Sequence, residues 1–424
     1  MTLFLKNGYV VDSANEFEGY ADILIKDKEI VKIGAGIDGS TADKTVDCKG
    51  LMIIPGICDM HVHFRDPGQT HKEDIITGGE AAVAGGVTAV ACMPNTSPVV
   101  DNAETVKYII DKAKKSKTKV YPVGSITKGL KGEELCDFIE LRKAGCVAVS
   151  DDGRPVKNAK TMARAMVKAH YAGLKVISHC EDLDIIDGGI MNSGKVSKEL
   201  GVPGMHRLSE DIITNREITL ATDLEMPIHI AHVSTITSMQ NIRIASRYGT
   251  MVTSETCPHY FMLTDEKLRT RDADYRMNPP LRTADDVKAI TEGICDGTID
   301  CIVTDHAPHT AEEKSDFLKA PNGVVGLETS LAATLTALYH TEKVKLSRIV
   351  SLMCVNPRNI LGIPGGSLQE GDVADICIFD PNEEWKVVPE KLHSKSKNTC
   401  FKGKTLRGRV KYTIVDGNIV YEDK

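Results

Sequence analysis

Residues 59–66, Asp59-Met60-His61-Val62-His63-Phe64-Arg65-Asp66, follow the apolar run that begins at Leu51. In an extended strand, residues two apart face the same side, so His61 and His63 would point together. Such a pair at the end of a strand is a candidate metal site. Two histidines satisfied at the protein surface would give the same pattern, so the rest of the chain must decide between them.

The middle of the chain repeats this arrangement. Short apolar, β-branched runs alternate with helical patterns, as βα units require. The eight runs are Leu51–His63, Val87–Met93, Val120–Ser125, Cys146–Ser150, Lys175–His179, Pro227–Val233, Thr250–Glu255 and Asp300–Asp305. The clearest helical patterns are Asp101–Ser116, Asn158–Ala172 and Thr237–Tyr248. Eight alternations predict an α/β fold, a closed (β/α)₈ TIM barrel. An open doubly wound sheet would need a glycine-rich phosphate turn after its first strand, and none is present.

Both ends of the chain are rich in strands and turns instead. Strand-like residues 3–5 precede Asn7-Gly8, and residues 22–25 precede Asp27-Lys28. Near the other end, residues 412–415 precede Asp416-Gly417, a hairpin signal. We therefore predict a small β-sandwich domain composed of residues 1–53 and 367–424, around a barrel of residues 54–366.

Composition excludes several classes of function. The 424 residues include 42% hydrophobic and 26% charged residues, and the net charge is −7, which argues against nucleic acid as a partner. No stretch has the length and apolarity of a membrane span. The N-terminus lacks the pattern of a secretory signal, and the twelve cysteines include no CxxC pair. These features predict a cytoplasmic protein with free thiols.

Further polar residues end other predicted strands. They are Asp151 and Asp152 on the fourth, His179 on the fifth, His232 on the sixth and Asp305 on the eighth. A barrel brings these strand ends together at its active face. Together they favour a metal site over a purely structural role for His61 and His63. Imidazole and carboxylate ligands suit Zn²⁺, or Co²⁺ or Mn²⁺ in its place.

The ligands suffice for two ions. One ion would take His61, His63 and Asp305, and the other would take His179 and His232. One of the adjacent carboxylates Asp151 and Asp152 would bridge them; the apolar run does not decide which, and Asp152 is favoured because it abuts Gly153, where the strand turns out over the barrel mouth. Such a pair lowers the pKa of a shared water, so that hydroxide forms at neutral pH. Asp305 would then accept a proton and pass it to the leaving nitrogen.

The remaining histidines receive structural interpretations. His229 and His306 are out of phase with the ligands His232 and Asp305, so we expect both to face outward. His259 is expected to pack at the end of the seventh strand.

Five motifs carry a resemblance to a known family. They are His61-Val62-His63-Phe64-Arg65-Asp66-Pro67-Gly68, Met93-Pro94-Asn95-Thr96, Ser150-Asp151-Asp152-Gly153, Asn278-Pro279-Pro280-Leu281-Arg282 and Asp305-His306-Ala307-Pro308-His309-Thr310. In this order they resemble the motifs of class I dihydroorotases of the amidohydrolase superfamily. The resemblance implies reversible hydrolysis of dihydroorotate to N-carbamoyl-aspartate in pyrimidine synthesis. It also implies a homodimer and an association with aspartate transcarbamoylase.

The resemblance assigns substrate contacts by matching position. Arg65, Asn95 and His309 would hold the substrate carboxylate, for which the planar fork of arginine is well suited. Asn278 and the backbone of Asn322 and Gly323 would contact the ring. Asn322 departs from the family pattern, because an aromatic residue is expected there, and this puts the ring contact in doubt.

Two alternatives remain at this point. An allantoinase or hydantoinase would act on a related cyclic amide, but these enzymes bridge their metals with a carbamylated lysine, and the fourth strand here offers Asp152. A catalytically inactive homologue serving as a scaffold is the other alternative. Inactive copies typically lose metal ligands, and this chain retains the full set.

Overall fold

The computed structural model describes residues 1–423. The strands are β1 (Thr2–Asp12), β2 (Phe17–Lys26), β3 (Glu29–Gly34), β4 (Lys44–Asp47), β5 (Met52–Pro55), β6 (Ile57–Val62), β7 (Val87–Cys92), β8 (Lys119–Gly124), β9 (Ala148–Val149), β10 (Lys175–Ser178), β11 (Met191–Asn192), β12 (Gly204–Met205), β13 (Ile228–Ile230), β14 (Val252–Thr256), β15 (Cys301–Ile302), β16 (Ile376–Lys386), β17 (Thr405–Val415) and β18 (Asn418–Glu422). The α-helices are α1 (Ile75–Ala84), α2 (Ala103–Ala113), α3 (Phe138–Ala144), α4 (Ala159–Tyr171), α5 (Leu183–Ile186), α6 (Lys195–Leu200), α7 (Leu208–Leu224), α8 (Ile236–Arg247), α9 (Pro258–Met262), α10 (Ala284–Asp296), α11 (Ser330–Thr334), α12 (Leu346–Val350) and α13 (Asn356–Leu361).

Eight parallel strands form the barrel, in the order β6-β7-β8-β9-β10-β13-β14-β15. The last strand returns to the first, because Val62 forms a parallel bridge with His306 and the amide of His63 donates to the carbonyl of His306 over 2.8 Å. The predicted barrel is confirmed: all eight predicted runs overlap its strands, and β8 and β14 each extend one residue beyond their predicted run. The open doubly wound alternative is wrong.

The barrel is packed on both sides of its strands. Side chains such as those of Met60, Ile177 and Ala231 form a buried cluster that fills the interior. Ile228 and Ile230, on the opposite face of their strand, belong to the larger cluster packed against the helices. Because both faces of each strand are buried, the strands are continuously apolar in sequence.

The helices begin where capping residues predict. Asn158 accepts a hydrogen bond from the amide of Thr161 at the start of α4, and Thr235 accepts one from Ser238 at the start of α8. A side chain of this kind satisfies an amide that has no partner within the helix. The predicted helices at these positions are confirmed to within a few residues.

A second eight-stranded sheet is assembled from both ends of the chain. Its order is β18-β17-β16-β5-β1-β2-β3, with β4 paired to β1, so the predicted composite β domain is present. Strand β5 pairs with β16 in this sheet and ends at Pro55, two residues before the first barrel strand. The sheet and the barrel are thus joined directly at the start of β6. The exact division at residues 53 and 366 stays a prediction.

Two of the three turn signals in this sheet are confirmed. Asp416 and Gly417 connect β17 to β18, and Asp27 and Lys28 connect β2 to β3. The turn expected at Asn7-Gly8 is wrong. Strand β1 continues through it, and the register against β2 shifts between Leu5 and Gly8, so the extra residues form a bulge. No helix within residues 1–423 is long and apolar enough to cross a membrane.

Candidate active site

Asp152 lies at the centre of a buried group of four histidines that come from three strand ends. Its Oδ1 lies 3.4 Å from Nε2 of His61 and 3.4 Å from Nδ1 of His179. The same oxygen is 3.7 Å from Nε2 of His232, while Oδ2 is 3.5 Å from Nε2 of His63. Two ligand groups result, one with the first two histidines of the chain and one with the later two, and Asp152 belongs to both.

The donor set fits a divalent cation. Nε2 of His61 and Oδ1 of Asp152 are buried and have no hydrogen-bond partner within residues 1–423. Leaving such atoms unpaired in a protein interior costs free energy. Imidazole nitrogens and carboxylate oxygens that converge in this way suit a metal such as zinc, which would satisfy both atoms.

Asp305 completes the group from the eighth strand. Its Oδ1 lies 3.0 Å from Nε2 of His63 and 3.7 Å from Nε2 of His61. Strand β15 ends at Ile302, and Asp305 has a positive φ of 47°, so the chain has already turned when it reaches this residue. The turn directs the carboxylate over the barrel mouth, beside the atoms that would hold a metal.

The carboxylates around the histidines favour positive charge at this site. Burial opposes protonation of His61, but the carboxylates of Glu255 and Asp152 outweigh burial and hold the pKa of His61 well above its usual value. For His179, burial is likewise outweighed by Glu181 and Asp152, which raise its pKa to about 10. Histidine ligates metals only as the neutral ring, so metal binding must release these protons.

Each of three histidines has its second ring nitrogen fixed by an oxygen. Nδ1 of His61 lies 2.5 Å from Oε1 of Glu255, Nδ1 of His63 lies 2.8 Å from Oδ1 of Asn95, and Nε2 of His179 lies 2.9 Å from Oε2 of Glu181. An acceptor at one nitrogen selects the tautomer whose other nitrogen is free for a metal. In every case the free nitrogen is the one that faces Asp152.

Glu255 was not among the residues selected from the sequence, although it ends the predicted seventh strand. Its other oxygen, Oε2, lies 3.2 Å from Nε2 of His229, which is fully buried. The expectation that His229 faces outward is therefore wrong. It shares a strand face with Ala231, inside the barrel, whereas His232 lies beyond the end of β13 with a φ of 31°. Strand alternation does not extend through that turn.

Glu181 was also missed, and its position offered a signal. It stands two residues after His179, on the same side of an extended chain. Its second oxygen, Oε1, accepts a hydrogen bond of 2.8 Å from Nδ2 of Asn278. Glu181 thus connects a candidate metal ligand to a residue predicted to contact the substrate ring.

Asp151 points away from the cluster. Its Oδ1 accepts hydrogen bonds from the amides of Ile126 at 2.7 Å and Thr127 at 3.0 Å, and its Oδ2 accepts one from the Thr127 hydroxyl. The adjacent carboxylates of Asp151 and Asp152 therefore have different surroundings, one within a loop and one among histidines.

The predicted carboxylate contacts lie at the rim of the cluster. Arg65 is buried, its Nε donates to the carbonyl of Pro308 over 3.3 Å, and its Nη2 lies 3.2 Å from Nε2 of His309. Burial and then the charge of Arg65 lower the pKa of His309 to about 3, so this ring is neutral beside the guanidinium. Asn95 contacts two of the candidate ligands. Its Oδ1 lies 2.8 Å from Nδ1 of His63, and its Nδ2 donates to Oδ2 of Asp152 over 3.3 Å.

The segment predicted to contact the ring adjoins His309. The carbonyl of Asn322 lies 3.0 Å from Nε2 of His309. Gly323 has a φ of 136°, and a Cβ there would come within 2.8 Å of the Ala307 carbonyl oxygen. Only glycine allows this close approach of two loop backbones.

The remaining histidines at the strand ends are structural. His259 is buried in α9, directly after β14, and burial is the main reason that its pKa falls to about 4. His306 stacks edge-on against Phe64, which belongs to the cluster packed outside the barrel. Both positions agree with the sequence interpretation.

A (β/α)₈ barrel with this histidine and carboxylate cluster defines an amidohydrolase-type hydrolase. Residues 50–238 match the family model described as dihydro-orotase-like, and residues 296–421 match that of the amidohydrolase family. A dihydroorotase from Citrifermentans bemidjiense is 49% identical over 424 residues, covering 100% of both chains. One from Acetivibrio thermocellus is 49% identical and covers 100% of this chain and 99% of its own. The chain belongs to the dihydroorotase family.

Solved structures of similar fold come from neighbouring cyclic amidases. An L-hydantoinase (dihydropyrimidinase) from Arthrobacter aurescens superimposes with a TM-score of 0.89 at 26% identity, covering 99% of this chain and 96% of its own. A dihydropyrimidinase from Brevibacillus agri has a TM-score of 0.88 at 23% identity, covering 100% and 96%. The second likeness carries the fold alone. Hydantoinases are thus structural relatives, while the whole-length sequence relatives are dihydroorotases.

Proposed function

We propose that this protein hydrolyses the cyclic amide of (S)-dihydroorotate to N-carbamoyl-L-aspartate and catalyses the reverse ring closure, as a step of pyrimidine biosynthesis. The observation that carries the proposal is the pair of Arg65 and His309 beside the metal-ligand cluster, 3.2 Å apart. A buried guanidinium at this place suits a substrate that carries a carboxylate on the same ring as its reacting amide. Hydantoin and allantoin lack that carboxylate.

Zinc is the metal we propose, as one or two ions, with cobalt or manganese as substitutes. His61, His63 and Asp305 would hold one ion and His179 and His232 the other, with Asp152 between them. A bound divalent ion polarises the amide carbonyl and makes water a nucleophile at neutral pH. The buried carboxylates favour a positive charge at this place, and the three fixed ring tautomers leave the metal-facing nitrogens free to bind it.

Asp305 is proposed as the general acid and base. Its Oδ1 lies beside Nε2 of His63, so the carboxylate occupies the edge of the cluster where a water would attack. It would accept the proton of that water and donate it to the leaving ring nitrogen. In ring closure the same group would move a proton in the opposite direction.

The substrate would bind across the rim. Arg65, Asn95 and His309 would hold the carboxylate, and this contact places the reacting carbonyl over the metal ligands. Asn278 and the backbone at Asn322 and Gly323 would contact the ring. The Asn322 carbonyl offers an acceptor whatever its side chain, which supports a backbone contact despite the missing aromatic residue.

Turnover of dihydroorotate, hydantoin and allantoin by the purified protein tests the proposal. We expect dihydroorotate to be hydrolysed with the highest kcat/KM. Preference for hydantoin or allantoin would instead favour the related cyclic amidase activities. Metal-loaded protein with no turnover on any of the three would favour a scaffold role.

Removal of metal is expected to abolish hydrolysis. The proposed nucleophile is a metal-bound water, and without the ion nothing lowers the pKa of that water toward neutral pH. Dialysis against a chelator should eliminate turnover of dihydroorotate, and addition of Zn²⁺, Co²⁺ or Mn²⁺ should restore it, with metal content measured in parallel. Full activity in protein verified to be metal-free would refute the metal site.

Arg65→Ala is expected to change substrate preference. Loss of a desolvated, charge-assisted contact should reduce kcat/KM for dihydroorotate by an amount on the order of 2–5 kcal/mol. An uncharged cyclic imide such as dihydrouracil makes no such contact and serves as the matched control. Equal losses on both substrates would assign Arg65 a structural role.

The family resemblance also supports an assembly and a location. We propose a cytoplasmic homodimer that can associate with aspartate transcarbamoylase. Light scattering of the purified protein, alone and mixed with the transcarbamoylase of the same organism, tests both associations. A monomer at all concentrations would contradict the dimer.

A further inference from the structure

A segment of the C-terminal part of the chain crosses the rim of the candidate site. We call residues 393–398 the C-terminal strap. It contains no helix or strand, and every second residue, Ser394, Ser396 and Asn398, is no more than 5% exposed. The strap contacts the loop that follows β6 and the loop that follows β15. These loops carry Arg65 and His309, respectively.

The first part of the strap is attached to the loop after β6. The Ser394 hydroxyl donates to Oε2 of Glu73 over 2.5 Å, and the amide of Lys395 donates to the same oxygen over 3.1 Å. The Ser396 hydroxyl donates to the carbonyl of Lys72 over 2.7 Å. Glu73 is fully buried, so these bonds are shielded from competing water.

The second part of the strap is attached to the loop after β15 through Asn398, whose backbone carbonyl accepts from the amide of Val325 over 3.0 Å and whose side chain makes three further bonds. Oδ1 of Asn398 accepts a hydrogen bond of 3.1 Å from the amide of His309. Its Nδ2 donates to the carbonyls of Gly323 at 3.0 Å and Ala307 at 3.4 Å. One amide group thus cross-links the two stretches of the loop that are proposed to contact the substrate carboxylate and ring.

This cross-link matters because residues 307–323 contain no helix or strand. Their backbone groups lack the ladders that would otherwise hold them in place. Lys314 supports the same stretch, since its Nζ donates to the carbonyls of Pro321 and Gly323, both at 3.0 Å. The Asn398 side chain bonds to both His309 and Gly323. Its amide oxygen and its amide nitrogen both take part in these hydrogen bonds.

We propose that Asn398 is a positioning residue for substrate recognition. It fixes His309 and the Gly323 backbone at the distance that the carboxylate and ring of the substrate require. The inference rests on the proposed function. It adds a residue of the C-terminal segment, Asn398, that does not itself touch the metal ligands. Its effect should therefore appear in binding rather than in chemistry.

The test compares Asn398→Ala with Ser396→Ala, which removes a buried strap hydrogen bond to Lys72 but none to His309 or Gly323. We expect Asn398→Ala to raise KM for dihydroorotate at least tenfold, with kcat within about threefold and metal content unchanged. Turnover of dihydrouracil, which lacks the carboxylate, should fall much less. Ser396→Ala should retain the wild-type KM. Asn398→Asp keeps the shape and the acceptor for the His309 amide, but it loses both donated bonds and sets a carboxylate against the carbonyls of Gly323 and Ala307, so it should raise KM at least as much.

The outcomes separate the two claims. A wild-type protein that does not act on dihydroorotate would contradict the proposed function and this inference together. A wild type that does, with an unchanged KM in folded Asn398→Ala, would overturn only the role of Asn398. Equal losses on both substrates would also overturn it, because they indicate general disruption. If Asn398→Ala does not fold, as judged by thermal unfolding, Asn398→Asp carries the same test with the same criteria.

Discussion

Asp305→Asn is expected to reduce kcat for dihydroorotate by about 10²–10⁴-fold, the usual contribution of a positioned acid or base. The amide keeps an oxygen at the position that lies 3.0 Å from Nε2 of His63, so a metal ligand remains. It cannot accept a proton, and proton transfer to the leaving nitrogen is lost. Bound metal, measured by elemental analysis, should fall much less than kcat.

Asp300→Asn provides the matched control. Asp300 immediately precedes β15, at the opposite end of the strand, where its carboxylate accepts a hydrogen bond from the amide of Ser254 over 2.8 Å. An asparagine there can still accept that bond, so activity should stay near the wild-type value. A near-normal kcat in Asp305→Asn would mean that another group carries the proton. Loss of metal in proportion to loss of rate would mean that Asp305 acts only as a ligand.

Sequence patterns predicted the barrel because its strands are defined by local chemistry. The strands are largely apolar on both faces, and several are followed by capped amphipathic helices such as α2, α4 and α8. Both signals are readable within about ten residues. The candidate ligands were found for the same reason, since they stand at strand ends. The composite β domain also followed from local turns such as Asp416-Gly417.

Strand alternation failed where the chain leaves the strand. His232 and Asp305 have positive φ angles of 31° and 47°, in turns that reset which side of the chain faces the barrel. Extending the alternation backward from His232 placed His229 outside, although it lies inside against Glu255. At Asn7-Gly8 the same kind of local signal was misread, because a bulge and a turn both use a residue with positive φ.

Contacts between distant segments could not be predicted from one sequence. Glu255 contacts the ring of His61, 194 positions away, and Asn398 accepts a hydrogen bond from the amide of His309, 89 positions away. Nothing in the immediate neighbourhood of either residue indicates its partner. Such residues orient the groups that the motifs identify, and they become visible only once the barrel and the terminal segments are packed together.

Asp152→Ala is expected to cost nearly all activity and the second metal ion. The Asp152 carboxylate is the one group shared by the two sets of candidate ligands, within 3.7 Å of a ring nitrogen in each of four histidines. Alanine removes that shared ligand and leaves the histidines facing an empty space. Metal content per protein, measured beside turnover, should fall from the wild-type value together with activity.

Asp151→Asn is the control for this change, because the two residues are adjacent and both are buried. The remaining oxygen of the asparagine can still accept from the amides of Ile126 and Thr127, and its nitrogen can donate to the Thr127 hydroxyl. We therefore expect a loss of stability of about 1 kcal/mol and a modest loss of activity. Lethality of Asp151→Asn with tolerance of Asp152→Ala would show that the bridging ligand is the preceding residue.

Reconstitution separates an aspartate bridge from a carbamylated lysine. A carbamate forms only when lysine reacts with carbon dioxide, whereas the carboxylate of Asp152 is present in the protein as synthesised. Metal-free protein should therefore recover full activity with Zn²⁺ alone, at the same rate and to the same extent with or without added bicarbonate. The control is a carbamate-dependent hydantoinase treated in parallel, whose recovery should respond to bicarbonate. If bicarbonate proves essential for this protein too, the bridge is a modified lysine, and Asp152 instead contributes to a single ion.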